Sequence, residues 1–348
     1  MSVLLSIIVP VYNGVRYIKN TINNVLAQTF VDYELILIND GSKDDSLFVM
    51  RELSGKDKRI KLFTTENKGI CAARNLGISQ ANGEFIVFLD QDDDFDSDLC
   101  RDYVETIIKT GADMCVFGRS YTIIESNGNK RHFKIQPLVE GLLTDKEQLY
   151  GHIFNVNNDK TFITIWNCIY RKNIIRQYGL SFPTVLRAGY EDTVFNMLYA
   201  SKCTSVFLCS RIHYSYQMRK GVSTITKAND NVLDDFYFVA RMGRELVDGL
   251  PSSYQNAYRF FVLRLFQVPY FRILTHKKRI SFNEKMELAK MISRNTCIQD
   301  AAACTMAPYK VRILYKVLLS VIRYGIRHGC FFIVVAALDI IHFWKEKV

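Results

Sequence analysis

With 348 residues, 49% of them hydrophobic and 13% aromatic, the chain is too long for one small domain and too apolar to be disordered. Its net charge of +10 is unevenly spread: residues 1–227 carry 27 Lys/Arg against 25 Asp/Glu, whereas residues 228–348 carry 18 against 10. The near-neutral first part argues against a nucleic-acid-binding face there, and the basic remainder calls for an acidic partner such as anionic lipid or a phosphorylated substrate.

The first 120 residues alternate apolar runs with helical patterns. Strands are expected at Leu4–Val11, Tyr33–Ile38, Ile60–Thr64, Phe85–Leu89 and Met114–Gly118, with helices at Val15–Ala27, Asp44–Leu53, Ile70–Ala81 and Asp98–Lys109. This rhythm predicts a parallel sheet with helices on both faces and a ligand site at the carboxyl ends of its strands. Short strands at 120–125 and 131–135 follow, joined by an Asn127-Gly128-Asn129 turn. Beyond a mixed region the pattern turns helical, with helices at 230–248, 254–274 and 283–293, and the domain boundary is placed at 225–230. Two domains result, residues 1–227 and 228–348.

Residues 310–327 read as a basic amphipathic helix, with Arg312, Lys316, Ser320, Arg323 and Arg327 on one face and Val311, Leu314, Leu318, Val321 and Ile322 on the other. Residues 330–344 are strongly apolar but short of the roughly 20 residues a spanning helix needs. Two readings stay open for this tail: attachment to an anionic membrane surface, or packing on the catalytic domain or on a second copy of the chain. The nine cysteines are odd in number and lack a CxxC pair, which suits free thiols in a reducing cytoplasm. The N-terminal run lacks a basic region and a cleavage site, and reads as a strand rather than a signal peptide.

Five short elements sit where strands end or helices begin. Pro10-Val11-Tyr12-Asn13-Gly14 leaves an aromatic ring beside a turn, either as punctuation or against a flat base. Asn39-Asp40-Gly41-Ser42 is either a capped turn or a carboxylate placed for a base imino N–H or a ribose hydroxyl. Asn67-Lys68-Gly69 runs into Ala73-Arg74-Asn75, whose arginine is either a solvated helix face or a fork for nucleotide phosphates. Asp90-Gln91-Asp92-Asp93-Asp94 sets four carboxylates within five residues after an apolar strand; they repel, and a hard divalent cation, Mg²⁺ or Mn²⁺, would relieve them. Glu191-Asp192 opens a helix, where Asp192 is either a first-turn acid that stays ionised or a general base.

In order and position these elements resemble family 2 glycosyltransferases of the GT-A fold, over about residues 3–225. The resemblance implies that Pro10, Tyr12, Asp40, Asn67, Arg74 and Asp90 line a nucleotide-sugar pocket, commonly for uridine. It implies that Asp90-Gln91-Asp92 is the DxD motif, with Asp92 the direct metal ligand and Asp90 assisting. Asp192 would be the base that inverts the anomeric centre, supported by Glu191. Trp166-Asn167-Cys168 resembles a segment that often reads Trp-Asn-Lys, so Cys168 stands where a lysine is common. Tyr214-Ser215-Tyr216 with Arg219 and Ser223 looks like a loop closing over the donor.

The implied reaction is sugar transfer from a nucleotide-sugar donor, a UDP-sugar, to a glycan or lipid-linked acceptor in surface polysaccharide or glycolipid synthesis. The implied site of action is cytoplasmic, peripheral on the inner membrane face. Two rivals stand beside it. A nucleotidyltransferase would normally show a Gly-rich basic loop after the first strand, and this chain has Pro10-Val11-Tyr12-Asn13-Gly14. A non-catalytic nucleotide-sugar-binding scaffold is opposed by the presence of both Asp92 and Asp192.

Overall fold

The computed structural model describes residues 3–124, 128–156, 160–187, 189–219, 231–275, 280–306 and 312–347. Asn127 of the expected turn, Ser223, the 225–230 boundary and residues 310–311 of the tail helix lie outside the described residues. The chain divides into two compact units. The first is Met1–Leu149, Lys160–Leu186 and Glu191–Thr226; the second is Tyr150–Asp159, Arg187–Tyr190 and Lys227–Val348.

The first unit is built on one mixed sheet. Strands β1 (Leu5–Val11), β2 (Tyr33–Asp40), β3 (Ile60–Thr65) and β4 (Phe85–Phe88) lie parallel in the order β3-β2-β1-β4. Every residue of β1 and β2 is buried, as expected of parallel strands covered on both faces. Leu5, Ile7, Val9 and Val11 pack with α1 (Ile18–Leu26) and with residues of 99–107. Ile8 points the other way, onto Gly77 of α3 (Ile70–Gln80), where a Cβ would come within 2.4 Å of its side chain. The second crossover helix is α2 (Ser46–Ser54).

The rest of the sheet departs from the sequence pattern, apart from the strand expected at 131–135. It holds β5 (Asp94–Phe95), β6 (Met114–Ile124), β7 (Lys130–Ile135), β8 (Gly141–Leu143), β9 (Cys168–Arg171) and β10 (Val206–Arg219). β9 inserts antiparallel between β4 and β6, and β10 runs parallel to β6 with irregular register between Cys209 and Ser215. The two strands expected at 114–118 and 120–125 are one strand. Gly118 is not a strand end but a close approach: a Cβ there would lie 2.8 Å from the Ser210 carbonyl on the bulged part of β10. Helices α4 (Leu99–Thr110), α5 (Lys146–Ile153), α6 (Lys172–Tyr178) and α7 (Glu191–Lys202) complete the chain up to residue 219.

The later residues are helical: α8 (Val232–Val247), α9 (Ser252–Leu265), α10 (Gln267–Thr275), α11 (Phe282–Ser293), α12 (Thr296–Ala301), α13 (Ile313–His328) and α14 (Phe331–Lys347). The single helix expected at 254–274 divides at Phe266. Pro269, in the first turn of α10, has no N–H and its ring obstructs the Leu265 carbonyl. α11 opens with a reciprocal capping box between Ser281 and Glu284. The tail helix buries part of the face its pattern suggested: Leu318 and Ile322 are inside, joined by Leu319, Gly325 and Ile326, while Leu314 is exposed. Among the described residues no helix is long and apolar enough to cross a membrane.

Candidate active site

The site lies at the carboxyl ends of β1, β2 and β4, where the loops are laced together. After β1 the backbone turns through Asn13 (φ 49), whose N–H donates to Ser42 Oγ at 3.0 Å and whose Oδ1 accepts from Lys43 N–H at 2.8 Å. Pro10 is buried within β1, and Tyr12 stands 40% exposed beside the turn. The Gln91 side chain pairs with both Tyr12 backbone groups, each at 3.1 Å. That contact needs Gly14 bare, since a Cβ there would sit 2.1 Å from Gln91 Oε1.

Asp40, buried at the end of β2, accepts from Lys68 N–H and Gly69 N–H, both at 2.9 Å. Those amides begin α3, entered through Gly69 at φ 89, so Asp40 fixes the start of the helix that carries Arg74. Asn67 is exposed beside them.

Arg74 is the centre of the site. It is 1% exposed, and its guanidinium reaches three carboxylates from two distant parts of the chain. Nη1 donates to Asp192 Oδ1 at 2.7 Å and Glu191 Oε1 at 3.2 Å, and Nη2 donates to Asp90 Oδ1 at 3.1 Å. Phe182 covers the guanidinium at 5.4 Å. Burial disfavours the charge, but Asp192, Asp90 and Glu191 together outweigh it and raise the pKa of Arg74.

Asp192 does not match its expected setting. A first-turn acid aimed at solvent would stay ionised; here the side chain is largely buried against Arg74. Burial pushes its pKa up to about 7, with Glu191 and Asp90 adding to the rise and Arg74 opposing it. Desolvation therefore outweighs the helix dipole. Gly189 (φ 113) and Tyr190 (φ 71) bring the backbone into α7 through the left-handed region.

The four loop carboxylates do not converge on one point, as their spacing suggested. Asp90 turns to Arg74. Asp92 takes Arg219 Nη1 at 2.8 Å, while Arg219 Nη2 donates to the Asp92 carbonyl at 3.1 Å. Asp93 is 1% exposed and turns inward, accepting from Tyr214 Oη–H at 2.8 Å and Gln217 N–H at 2.8 Å. Asp94 pairs with Ser215 across β5 and β10. Tyr214 also accepts from Asp90 N–H at 3.1 Å and stacks on Trp166 at 4.3 Å. Tyr214 thus joins the acidic loop to β10, which ends at Arg219. The sequence pattern concealed Asp93 among its acidic neighbours and carried no signal of its buried partners.

The charge of Asp92 is incompletely compensated. Burial raises the pKa of Asp92 and the charge of Asp90 raises it further, with Arg219 only partly offsetting both. The loop is thus short of positive charge. No group of three or more His, Cys, Asp or Glu side chains suited to a metal occurs among the described residues. Asp90 and Asp92 offer hard oxygen donors of the kind Mg²⁺ and Mn²⁺ take, and an ion held there would draw its remaining ligands from water or a diphosphate. Cys168 lies in the core on β9, its thiol donating to the Thr164 carbonyl at 3.4 Å. Burial raises its pKa to about 12, so a neutral thiol stands where a lysine is common.

A profile described as glycosyl transferase family 2 matches residues 6–179. The chain is similar to glycosyltransferase GlyA of Streptococcus pneumoniae, at 27% identity over 219 residues, 62% of this chain and 31% of GlyA. It is also similar to the cholesterol galactosyltransferase of Borreliella burgdorferi, at 28% identity over 268 residues, 75% of this chain and 73% of that protein. Across the first three curated relatives, the match spans between 31% and 56% of the relative's own length. S. aureus TarS 1-349, solved in complex with UDP-GlcNAc, shares the fold at a TM-score of 0.71 and 19% identity, covering 97% of this chain and 90% of that one. The parallel β3-β2-β1-β4 half, the inserted β9 and the loops gathered over them are the GT-A arrangement, and the chain belongs to glycosyl transferase family 2.

Proposed function

We propose that this chain is an inverting, metal-dependent glycosyltransferase that moves a sugar from a UDP-sugar to a hydroxyl of a glycan or lipid-linked acceptor. Its proposed setting is surface polysaccharide or glycolipid synthesis at the inner face of a membrane. One observation carries the reading: Arg74 ties Asp90, at the donor end of the site, to Asp192, a carboxylate whose pKa is raised to about 7. The UDP-GlcNAc held by TarS supports a UDP-sugar donor, and the name of the Borreliella relative supports a lipid acceptor.

In this reading Tyr12, Asp40 and Asn67 border the base and ribose beside the buried Pro10. Asp92 and Asp90 hold Mn²⁺ or Mg²⁺, which when bound offsets the charge growing on the leaving diphosphate. Asp192 takes the proton of the acceptor hydroxyl as its oxygen attacks the anomeric carbon and the bond to the diphosphate breaks. A pKa near 7 leaves the carboxylate partly ionised at neutral pH yet more basic than an ordinary aspartate. Arg74 holds it in place, and Glu191 completes the ion-pair cluster. Attack from the face opposite the diphosphate inverts the centre, so an α-linked donor gives a β-linked product.

The test is transfer and UDP release from a panel of UDP-sugars with Mn²⁺, on the wild type and on Asp192→Asn. The reading expects the variant to bind donor normally and to lose transfer by a factor on the order of 10²–10⁴. A near-wild-type rate would return Asp192 to a structural role, and full activity in EDTA would remove the metal.

A further inference from the structure

We infer that the solvent-facing side of α13 is a docking surface for an anionic lipid bilayer. The inference deepens the membrane location proposed above and does not depend on the donor chemistry.

α13 has two apolar faces. The first, centred on Leu318, Ile322 and Ile326, is buried. Gly325 holds that face inward. A Cβ there would lie 2.5 Å from the Val334 side chain and 2.9 Å from the Cys330 carbonyl, so α13 and α14 meet where no side chain fits. The second apolar face lies away from this contact. That face is held in solvent, with Ile313 83%, Val317 50% and Tyr324 55% exposed. At 3.6 residues per turn these three fall within about 40° of one another. A groove of about 490 Å³ runs beside them, lined also by Met306, Val321 and Ile333.

Charge identifies the occupant. Lys316 and Arg327 lie on the arc adjoining the apolar strip, and Lys316 also lines the groove. α13 contains no acidic residue, and residues 228–348 carry 18 Lys/Arg against 10 Asp/Glu. An apolar strip edged by cations, with a tyrosine in it, suits an anionic interface: the strip enters the acyl boundary and the cations meet headgroup phosphates. A two-fold pairing of α13 with its own copy would set one basic helix against another.

The experiment is co-flotation of the full chain with phosphatidylglycerol-containing vesicles and with phosphatidylcholine vesicles, at low and high salt. Two variants accompany it, Val317→Asp and the double variant Lys316→Glu/Arg327→Glu, with light scattering and lipid-free UDP release on each. The wild type should bind the anionic vesicles and be released by salt. Each variant should bind them on the order of tenfold more weakly, with UDP release unchanged. Equal binding to both vesicle types, or variants that bind like the wild type, would overturn the inference. So would a wild-type oligomer that ignores vesicles and that Val317→Asp dissociates, which would make the strip an interface between copies. If UDP release is absent in every protein while vesicle binding follows the expected pattern, the catalytic reading fails and the docking surface stands.

Discussion

Two arginines serve the same acidic loop in different ways. Arg74 is buried and shared among three carboxylates, whereas Arg219 is partly exposed and bonds both the carboxylate and the carbonyl of Asp92. Removing a buried charge leaves its partners uncompensated in a poor solvent, while an exposed pair exchanges readily with water. The comparison teaches that Arg74 is framework, fixing where Asp90 and Asp192 stand. Arg219 holds Asp92 from a more exposed position.

The largest expected effect follows from breaking the framework. Arg74→Met leaves Asp90, Glu191 and Asp192 facing one another without a cation. It should cost about 3–5 kcal/mol of stability and abolish transfer. Chemical denaturation measures the first and UDP release the second; a stable, active Arg74→Met protein would contradict the assignment. An intermediate effect is expected for Asp93→Asn, which disturbs the clamp on Tyr214 and Gln217 N–H. The loss of a buried hydrogen-bonded acceptor should lower stability by about 1–3 kcal/mol. Because the same clamp positions Asp90 and Asp92, the Mn²⁺ concentration needed for half-maximal UDP binding should also rise. Unchanged Mn²⁺ dependence would make Asp93 a stability residue alone.

The smallest effect belongs to Arg219→Gln. Stability should change by no more than about 1 kcal/mol, because the pair is only partly buried. A loss as large as that from Arg74→Met would erase the distinction between the two arginines.

Much of this arrangement was legible in the sequence, and the legible part has a physical character. β1 to β4 are continuous apolar runs because both faces of the sheet are covered, and their ends are marked by turn residues. Asp40 and Asp90 could therefore be picked out by position, and Arg74 and Asp192 by the ordered set of motifs they belong to. Their partners could not. Arg74 meets Asp192 across 118 residues, and Tyr214 meets Asp93 across 121. No local pattern records such pairings, so Asp90 to Asp94 read as one repelling cluster when each has a separate destination. The two-residue β5 and the bulged β10 escaped for the same reason, since their pairing is non-local and their own runs are short or irregular. In α13 the periodicity was clear but two apolar faces competed for the interior, and the close approach at Gly325 decided between them.

The central claim is that Asp192 is a base tuned by burial against Arg74, and the pH dependence of transfer tests it most directly. Its raised pKa means that the folded chain holds the proton more tightly than the unfolded chain. The stability this gives is full below the ordinary value of 3.8 and is lost as pH rises through about 7. Activity runs the other way, because only the carboxylate accepts a proton. With donor saturating, the transfer rate should fall on the acid side with a midpoint of about 7, and donor affinity measured by calorimetry should stay flat across that midpoint. Asp192→Asn should leave a slow residual rate without this limb. An acid limb near the ordinary aspartate value of 3.8, or a limb near 7 that persists in Asp192→Asn, would contradict the account.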